Sequence, residues 1–535
     1  MRRGNLLFVI SVIAVLWYLF LNCFFPMAEG RDSWTYWAYF RDIFRTDPQY
    51  SLLMLFRTPA TPLFYGLAFG LGGIKGAMVA ACAGYVIIVL VVYDLLTTYR
   101  IWVGLMGVLL LFINLRFFER YNSVGSETLQ SVLLAIWFWV TFNSMERGGW
   151  RLGCALGIVT YLLVMNRPAN QLLIPMCILP LLGMWIGPAF SKTVKNKEFI
   201  RCAVTGLVVA MAFSLLHASS NYLRYGHFCI AGMGGAHIPF YRLFLQQRLI
   251  APENGPRSAE LAALVKKYIL SESMCLQYGI DENIFFHHST QRMFNMLVRK
   301  AYAERGWDHD FKLLKDAGWE AIRANPIEGW LGYVDGVLGF ISIPEGHHPF
   351  VLSNMTHSFE EFNDFRTQRY KLYKEKGIPI PDKGDLIPGN GWLQEQEGAV
   401  PVDSVHWDYA RRVAPSPNLE RWIAASNLFS PTWITLLIGI IGSVCACFNR
   451  STDLRIPLIL LAALPSLLVT WFGILLKDFR YPFDPLFTIF ICWGVYCISR
   501  VVNDLKKSRP FGHEQGKLSG CVPSSVKARC GDSPS

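Results

Sequence analysis

Acidic and basic side chains stand at the ends of several long apolar runs of this chain, where charge is costly to keep and commonly functional. The first such stretch reads Glu29-Gly30-Arg31-Asp32-Ser33-Trp34-Thr35-Tyr36 and continues through Arg41, Asp42 and Phe44. Asp32 and Tyr36 are four residues apart, so on a helix they share one face. A second stretch is Phe56-Arg57-Thr58-Pro59-Ala60-Thr61-Pro62-Leu63-Phe64-Tyr65. Further along come Arg116, Glu119, Arg120, Tyr121, Asn122 and Glu127, then Asn166-Arg167-Pro168, and last Lys477-Asp478-Phe479-Arg480-Tyr481-Pro482. A carboxylate in such a set can take a proton. Arginine suits phosphate, because its planar fork donates two hydrogen bonds at once.

The elements that must position these residues follow from composition. Of 535 residues, 53% are hydrophobic and only 17% charged, with a mean hydropathy of +0.31. Soluble domains carry roughly 25% charged residues, so the apolar excess points to an all-α polytopic membrane protein. An aromatic share of 14% excludes a disordered chain. Ten spans are predicted: 6–25, 77–96, 101–118, 128–143, 152–165, 171–187, 199–216, 429–448, 456–476 and 485–498. The first is too long for a signal-peptide core and reads as an anchor. Two shorter apolar pieces, 62–73 and 329–343, read as helices lying at the interface.

The positive-inside rule supports this map. With the N-terminus inside, the cytoplasmic loops hold Arg100, Arg147, Arg151, Lys192, Lys195, Lys197, Arg201, Arg450 and Arg455, and the tail begins with Arg500, Lys506, Lys507 and Arg509. Counting 62–73 as a span would invert every later loop. The net charge of +11 thus orients the chain against anionic lipid and does not call for nucleic acid. The domains expected are an N-terminal transmembrane module, 1–217, with its outer loop 26–75, and an extracytoplasmic insert, 218–428. C-terminal transmembrane helices, 429–501, and a disordered basic cytoplasmic tail, 502–535, complete the chain. Most of the 13 cysteines lie in apolar runs as small hydrophobes; Cys229 and Cys275 fall in the insert and could pair in an oxidising compartment.

The order of these motifs resembles the GT-C superfamily of membrane glycosyltransferases, which take sugars from polyprenyl-phosphate donors. It is similar in particular to the lipid A aminoarabinose transferases and protein O-mannosyltransferases. The element Asp32-x-x-x-Tyr36-x-Ala38-x-x-Arg41 resembles the family's catalytic first-loop signature, and Arg57-Thr-Pro-x-x-Pro-Leu-Phe-Tyr65 the juxtamembrane stretch that follows. Ser126-Glu127-Thr128-Leu129, Asn166-Arg167-Pro168 and Arg480-Tyr481-x-x-x-Pro485 are similar to elements further along the family's chains. The resemblance implies a GT-C-like bundle of about ten helices with juxtamembrane helices, in the cell membrane if bacterial. It implies Asp32 as the base, with Glu127 shaping the site or helping to bind a metal. Arg57 and Arg480, with Arg167 and Lys477 as lesser candidates, would bind the donor phosphate, and Tyr36 and Tyr481 would shape the substrate pocket. Two departures bear on metal: Ser33 replaces the family's second acid, and Arg57 stands where the aminoarabinose transferases carry another. Hard cations want clustered oxygen ligands, so catalysis without a metal cofactor is expected.

Other readings stand beside this one. Asp32 could cap a helix, Arg57 could be an interface anchor, and Arg167 and Arg480 could pair with nearby carboxylates. Glu127 could pair with Arg116 or Arg120. A lipid-linked oligosaccharide ligase or polymerase, or a transporter or flippase of a lipid-linked substrate, are the alternative functions. A transporter would carry its charges deep within spans, whereas here they collect at one face. In the insert, 259–270 and 311–324 read as amphipathic helices, the second stopping at Asn325-Pro326. His287-His288 and His347-His348 read as surface histidines, and Asn354-Met355-Thr356 fits a glycosylation sequon.

Overall fold

The computed structural model describes residues 3–29, 33–45, 51–186, 195–305, 311–342, 355–381, 385–388, 421–422, 425–426, 430–448, 453–473 and 479–508. The architecture is all-α apart from one two-stranded sheet. Helix α1 (Arg3–Phe24) leads into strand β1 (Ala28–Glu29), then α2 (Ser33–Asp42), α3 (Ser51–Phe56) and α4 (Ala60–Thr97). Next come α5 (Ile101–Ile113), α6 (Leu115–Tyr121), β2 (Ser123–Val124), α7 (Ser126–Arg147) and α8 (Trp150–Asn166). Two 3-10 stretches, Pro168–Leu173 and Pro175–Leu182, precede α9 (Asn196–Tyr225). The insert holds α10 (Pro256–Tyr268), α11 (Gln291–Arg305), α12 (Lys312–Ala324), α13 (Pro326–Ser342) and α14 (Met355–Glu375). The chain closes with α15 (Trp433–Phe448), α16 (Arg455–Gly473) and α17 (Asp484–Ser508).

Among the described residues, six helices are long and apolar enough to cross a membrane: Gly4–Phe24, Ala60–Thr97, Ser126–Arg147, Asn196–Tyr225, Arg455–Gly473 and Tyr481–Leu505. The α5–α6 pair becomes a seventh if its 65° bend is counted within one span. That bend has a local cause: Asn114 ends α5 and its side chain accepts from the Phe117 amide at 3.1 Å, capping α6. Three predicted spans are shorter apolar helices here, Trp150–Asn166, Pro168–Leu182 and Ile434–Cys447. Within α4 the helix breaks at Gly72-Gly73, where Gly73 takes φ +55°, at the end of the stretch 62–73 predicted to lie at the interface. A side chain at Gly76 would strike the Ala68 carbonyl, so the two halves meet closely just past the break.

Two helices run past predicted domain boundaries. Helix α9 runs unbroken through Ala218, the predicted start of the insert, to Tyr225 and stops at Gly226, whose φ of +76° suits a left-handed cap. Helix α17 continues past Val502 to Ser508, taking the first residues assigned to a disordered tail. The bundle core centres on Tyr65, Tyr85, Trp137, Phe138 and Trp493. The insert has its own core around Phe240, Phe244, Phe285, Phe294 and Leu314, against which Phe56 and Phe472 of the bundle lean. The predicted amphipathic helices are α10 and α12. His288 lies flat on Phe365 at 3.7 Å between ring centroids, while His347, His348 and Asn354 fall outside the described residues. Cys229 and Cys275 are both free thiols.

Arg242 clasps the insert to the bundle. Its guanidinium is fully buried and donates to the carbonyls of Phe472 at 2.9 Å and Gly329 at 3.0 Å, and also to the Gln247 side chain. The rings of Phe472 and Tyr333 lie 5.2 and 5.6 Å from it. Burial pushes its pKa down to about 10, so it stays a cation at neutral pH. Arg242→Ala strips donors from two buried carbonyls, each loss worth about 1–3 kcal/mol. Thermal unfolding in detergent is expected to show that loss, with the insert cut earlier by protease; an unchanged midpoint would contradict the clasp.

Candidate functional site

The sheet explains how distant stretches meet. β1 and β2 run parallel, with Ala28 opposite Ser123 and Glu29 opposite Val124. The start of the first loop is thereby tied to the turn that opens α7. Gly125 is extended between β2 and α7, and a Cβ there would strike the Glu127 carboxylate. Glu127 occupies the first turn of α7, where the helix dipole favours an anion. Tyr65 of α4 reaches the same turn: its hydroxyl lies 2.9 Å from the Ser123 carbonyl and 2.8 Å from the Thr128 hydroxyl. Tyr65 also lies within electrostatic range of both Glu127 and Tyr36.

Arg57 follows α3 and folds onto α2. Its Nε donates to Thr35 Oγ1 at 3.0 Å, and its guanidinium lies 5.1 Å from the Tyr36 ring centroid and 4.4 Å from that of Phe56. One turn on, Thr61 Oγ1 donates to Asn166 Oδ1 at 2.5 Å. Asn166 Nδ2 in turn donates to the Ser126 carbonyl at 3.2 Å and to Gln130 Oε1 at 2.8 Å. Arg167 Nη2 contacts Glu127 Oε1 at 2.5 Å, and its Nε donates to Ser126 Oγ at 3.0 Å. Its guanidinium lies 4.7 Å from the ring of Phe479, the neighbour of Arg480. Arg480 is buried with Nε 3.5 Å from Asp484 Oδ1, one helical turn ahead, and Asp484 Oδ2 accepts from Asn114 Nδ2 at 2.9 Å. Tyr481 is buried beside the charges of Arg480, Arg116 and Arg120.

The structure therefore gathers Arg57 with Tyr36, Glu127 with Arg167, and Arg480 with Tyr481. The Thr61–Asn166 bond and the Arg167–Phe479 contact join these groups. Asp32 and Lys477 lie outside the described residues. Glu127 pairs with Arg167, a partner from a distant part of the chain, while Arg116 Nη1 lies 3.2 Å from Glu119 Oε2. Thr61, Asn166 and Ser126, quoted within sequence motifs but given no role there, join the set, as does Asp484, which sequence reasoning passed over. Asp484 had a readable signal, four residues beyond Arg480 at the start of a helix. Among the described residues no three His, Cys, Asp or Glu side chains gather as a metal site would need.

Arg167 and Glu127 are both mostly buried, so truncating Glu127 takes a carboxylate away from a buried guanidinium. Glu127→Ala is expected to lower stability by about 1.5–3 kcal/mol, the worth of a charged hydrogen bond, and Glu127→Gln by less. Thermal melts of the purified variants decide this; a Glu127→Ala melt equal to native would show the pair to be idle.

Comparison with known proteins returns no matching family model, no matching curated protein and no matching solved structure.

Proposed function

We propose that this chain is a multi-pass membrane glycosyltransferase. It moves a sugar from a polyprenyl-phosphate donor to a lipid, glycan or protein acceptor on the extracytoplasmic face. The observation that carries this reading is the convergence of four sequence-distant elements at one end of the bundle. These are the Arg57-Thr58-Pro59 stretch, Ser126-Glu127, Asn166-Arg167 and Phe479-Arg480. In this reading the bent α5–α6 pair and the three shorter apolar helices cross the membrane with the six long ones, and the positive-inside rule puts both termini in the cytoplasm.

In this reading the acceptor hydroxyl oxygen attacks the anomeric carbon and its proton passes to Asp32. The bond from that carbon to the phosphate oxygen breaks, and polyprenyl phosphate leaves with its electron pair. Arg57 and Arg480 neutralise the growing negative charge. Arg167 holds Glu127 and Ser126 in place. The Tyr36 ring under Arg57 and the buried Tyr481 beside Arg480 keep those cations oriented.

Transfer from radiolabelled polyprenyl-phosphate hexoses and pentoses, by purified chain with envelope lipid and peptide acceptors, tests the reading. Asp32→Asn is expected to lower the rate about 10²–10⁴-fold, the usual worth of a general base. Native-like transfer by Asp32→Asn would overturn the mechanism, and no transfer from any donor would overturn the function.

A further inference from the structure

Helix α13 is built inside out for a protein in water. Its buried face carries Gly329, Gly332, Asp335, Gly336 and Gly339, all without large apolar side chains. Four of its large apolar residues are exposed, Ile327 by 70%, Trp330 47%, Val334 38% and Leu338 38%, while Tyr333 and Val337 pack against the bundle. At about 100° per residue these four fall within one narrow stripe of the helix. Soluble helices turn such a stripe inward, whereas helices in lipid put small residues at protein contacts and large apolar ones outside.

We propose that α13 lies in the bilayer interface, with Ile327, Trp330, Val334 and Leu338 in contact with phospholipid acyl chains, and so anchors the insert to the membrane. Its position beside the spans names the occupant. Tyr333 Oη donates to the Leu468 carbonyl of α16 at 3.1 Å, and Trp330 and Tyr333 both pack on the Phe472 ring. The exposed apolar surface of α16, with Leu461 at 64% and Leu468 at 37%, thus continues onto α13. At 17 residues α13 is about 25 Å long, short of the roughly 30 Å hydrocarbon core, and it carries Glu328 and Asp335. It lies in the interface and does not span.

The anchor does not depend on sugar transfer, so the two readings fail separately. The full chain is reconstituted in nanodiscs of phosphatidylcholine and phosphatidylglycerol with p-benzoylphenylalanine replacing Ile327, Val334 or Leu338, one at a time. Leu461 of the span serves as the lipid-facing control and the exposed Lys371 of α14 as the aqueous one. Irradiation is expected to give phospholipid adducts at all three α13 positions, at least about tenfold above Lys371 and comparable with Leu461. Background adducts on α13 while Leu461 labels would overturn the proposal. So would adducts joining α13 to a second copy of the chain.

Discussion

Asn166 and Arg167 close α8 with two side chains that between them reach three other segments at one end of the bundle. Asn166 accepts from Thr61 and donates to Ser126 and Gln130, while Arg167 grips Glu127 and covers Phe479. Inside an apolar bundle a polar group left without a partner costs several kcal/mol, so such groups have to find one another. That constraint draws the ends of α4, α7, α8 and the stretch before α17 to one place. The arginines of this end are arranged by it, and so is the turn that β1 holds beside Glu127.

The opposite end of the bundle uses the same chemistry to a different purpose. Arg455 is buried there, with Nη2 2.7 Å from Asp453 Oδ2, Nη1 3.1 Å from Glu146 and its guanidinium 3.8 Å from the Phe142 ring. Tyr99 adds its hydroxyl to Asp453 at 2.8 Å. A sequence count of loop cations treats Arg455 as a charge that orients the chain, yet it locks α4, α7 and α16 together. Two carboxylates answer one arginine at this end. At the Asn166 end several arginines meet aromatic faces and hydroxyls as well as carboxylates, an arrangement suited to an added anion.

Apolar runs made the helices readable, because a long unbroken hydrophobic segment has few other stable uses. Arg57, Glu127, Arg167 and Arg480 were readable for the complementary reason, as charges standing where lipid penalises them. Partners were less readable. Glu127 had Arg116 and Arg120 near it in sequence, and nothing there announced Arg167, which the tertiary approach of α8 brings to it. Thr61 and Asn166 are 105 residues apart and only the packed bundle brings them into a bond. The insert was legible as a polar segment with two amphipathic helices, but its Arg242 clasp depends on carbonyls of Gly329 and Phe472, which carry no residue-type signal. The bend at Asn114 was hidden too, since a single capping asparagine interrupts an otherwise apolar stretch.

The central claim is that these converging elements form one site for a lipid phosphate, which binding tests without turnover. Affinity for polyprenyl phosphate, the leaving species, is measured on the native chain and on Arg57→Ala by native mass spectrometry in lipid nanodiscs. Loss of a charged hydrogen bond predicts weakening by about tenfold or more. Equal affinity of the two proteins would place the phosphate elsewhere and contradict the account.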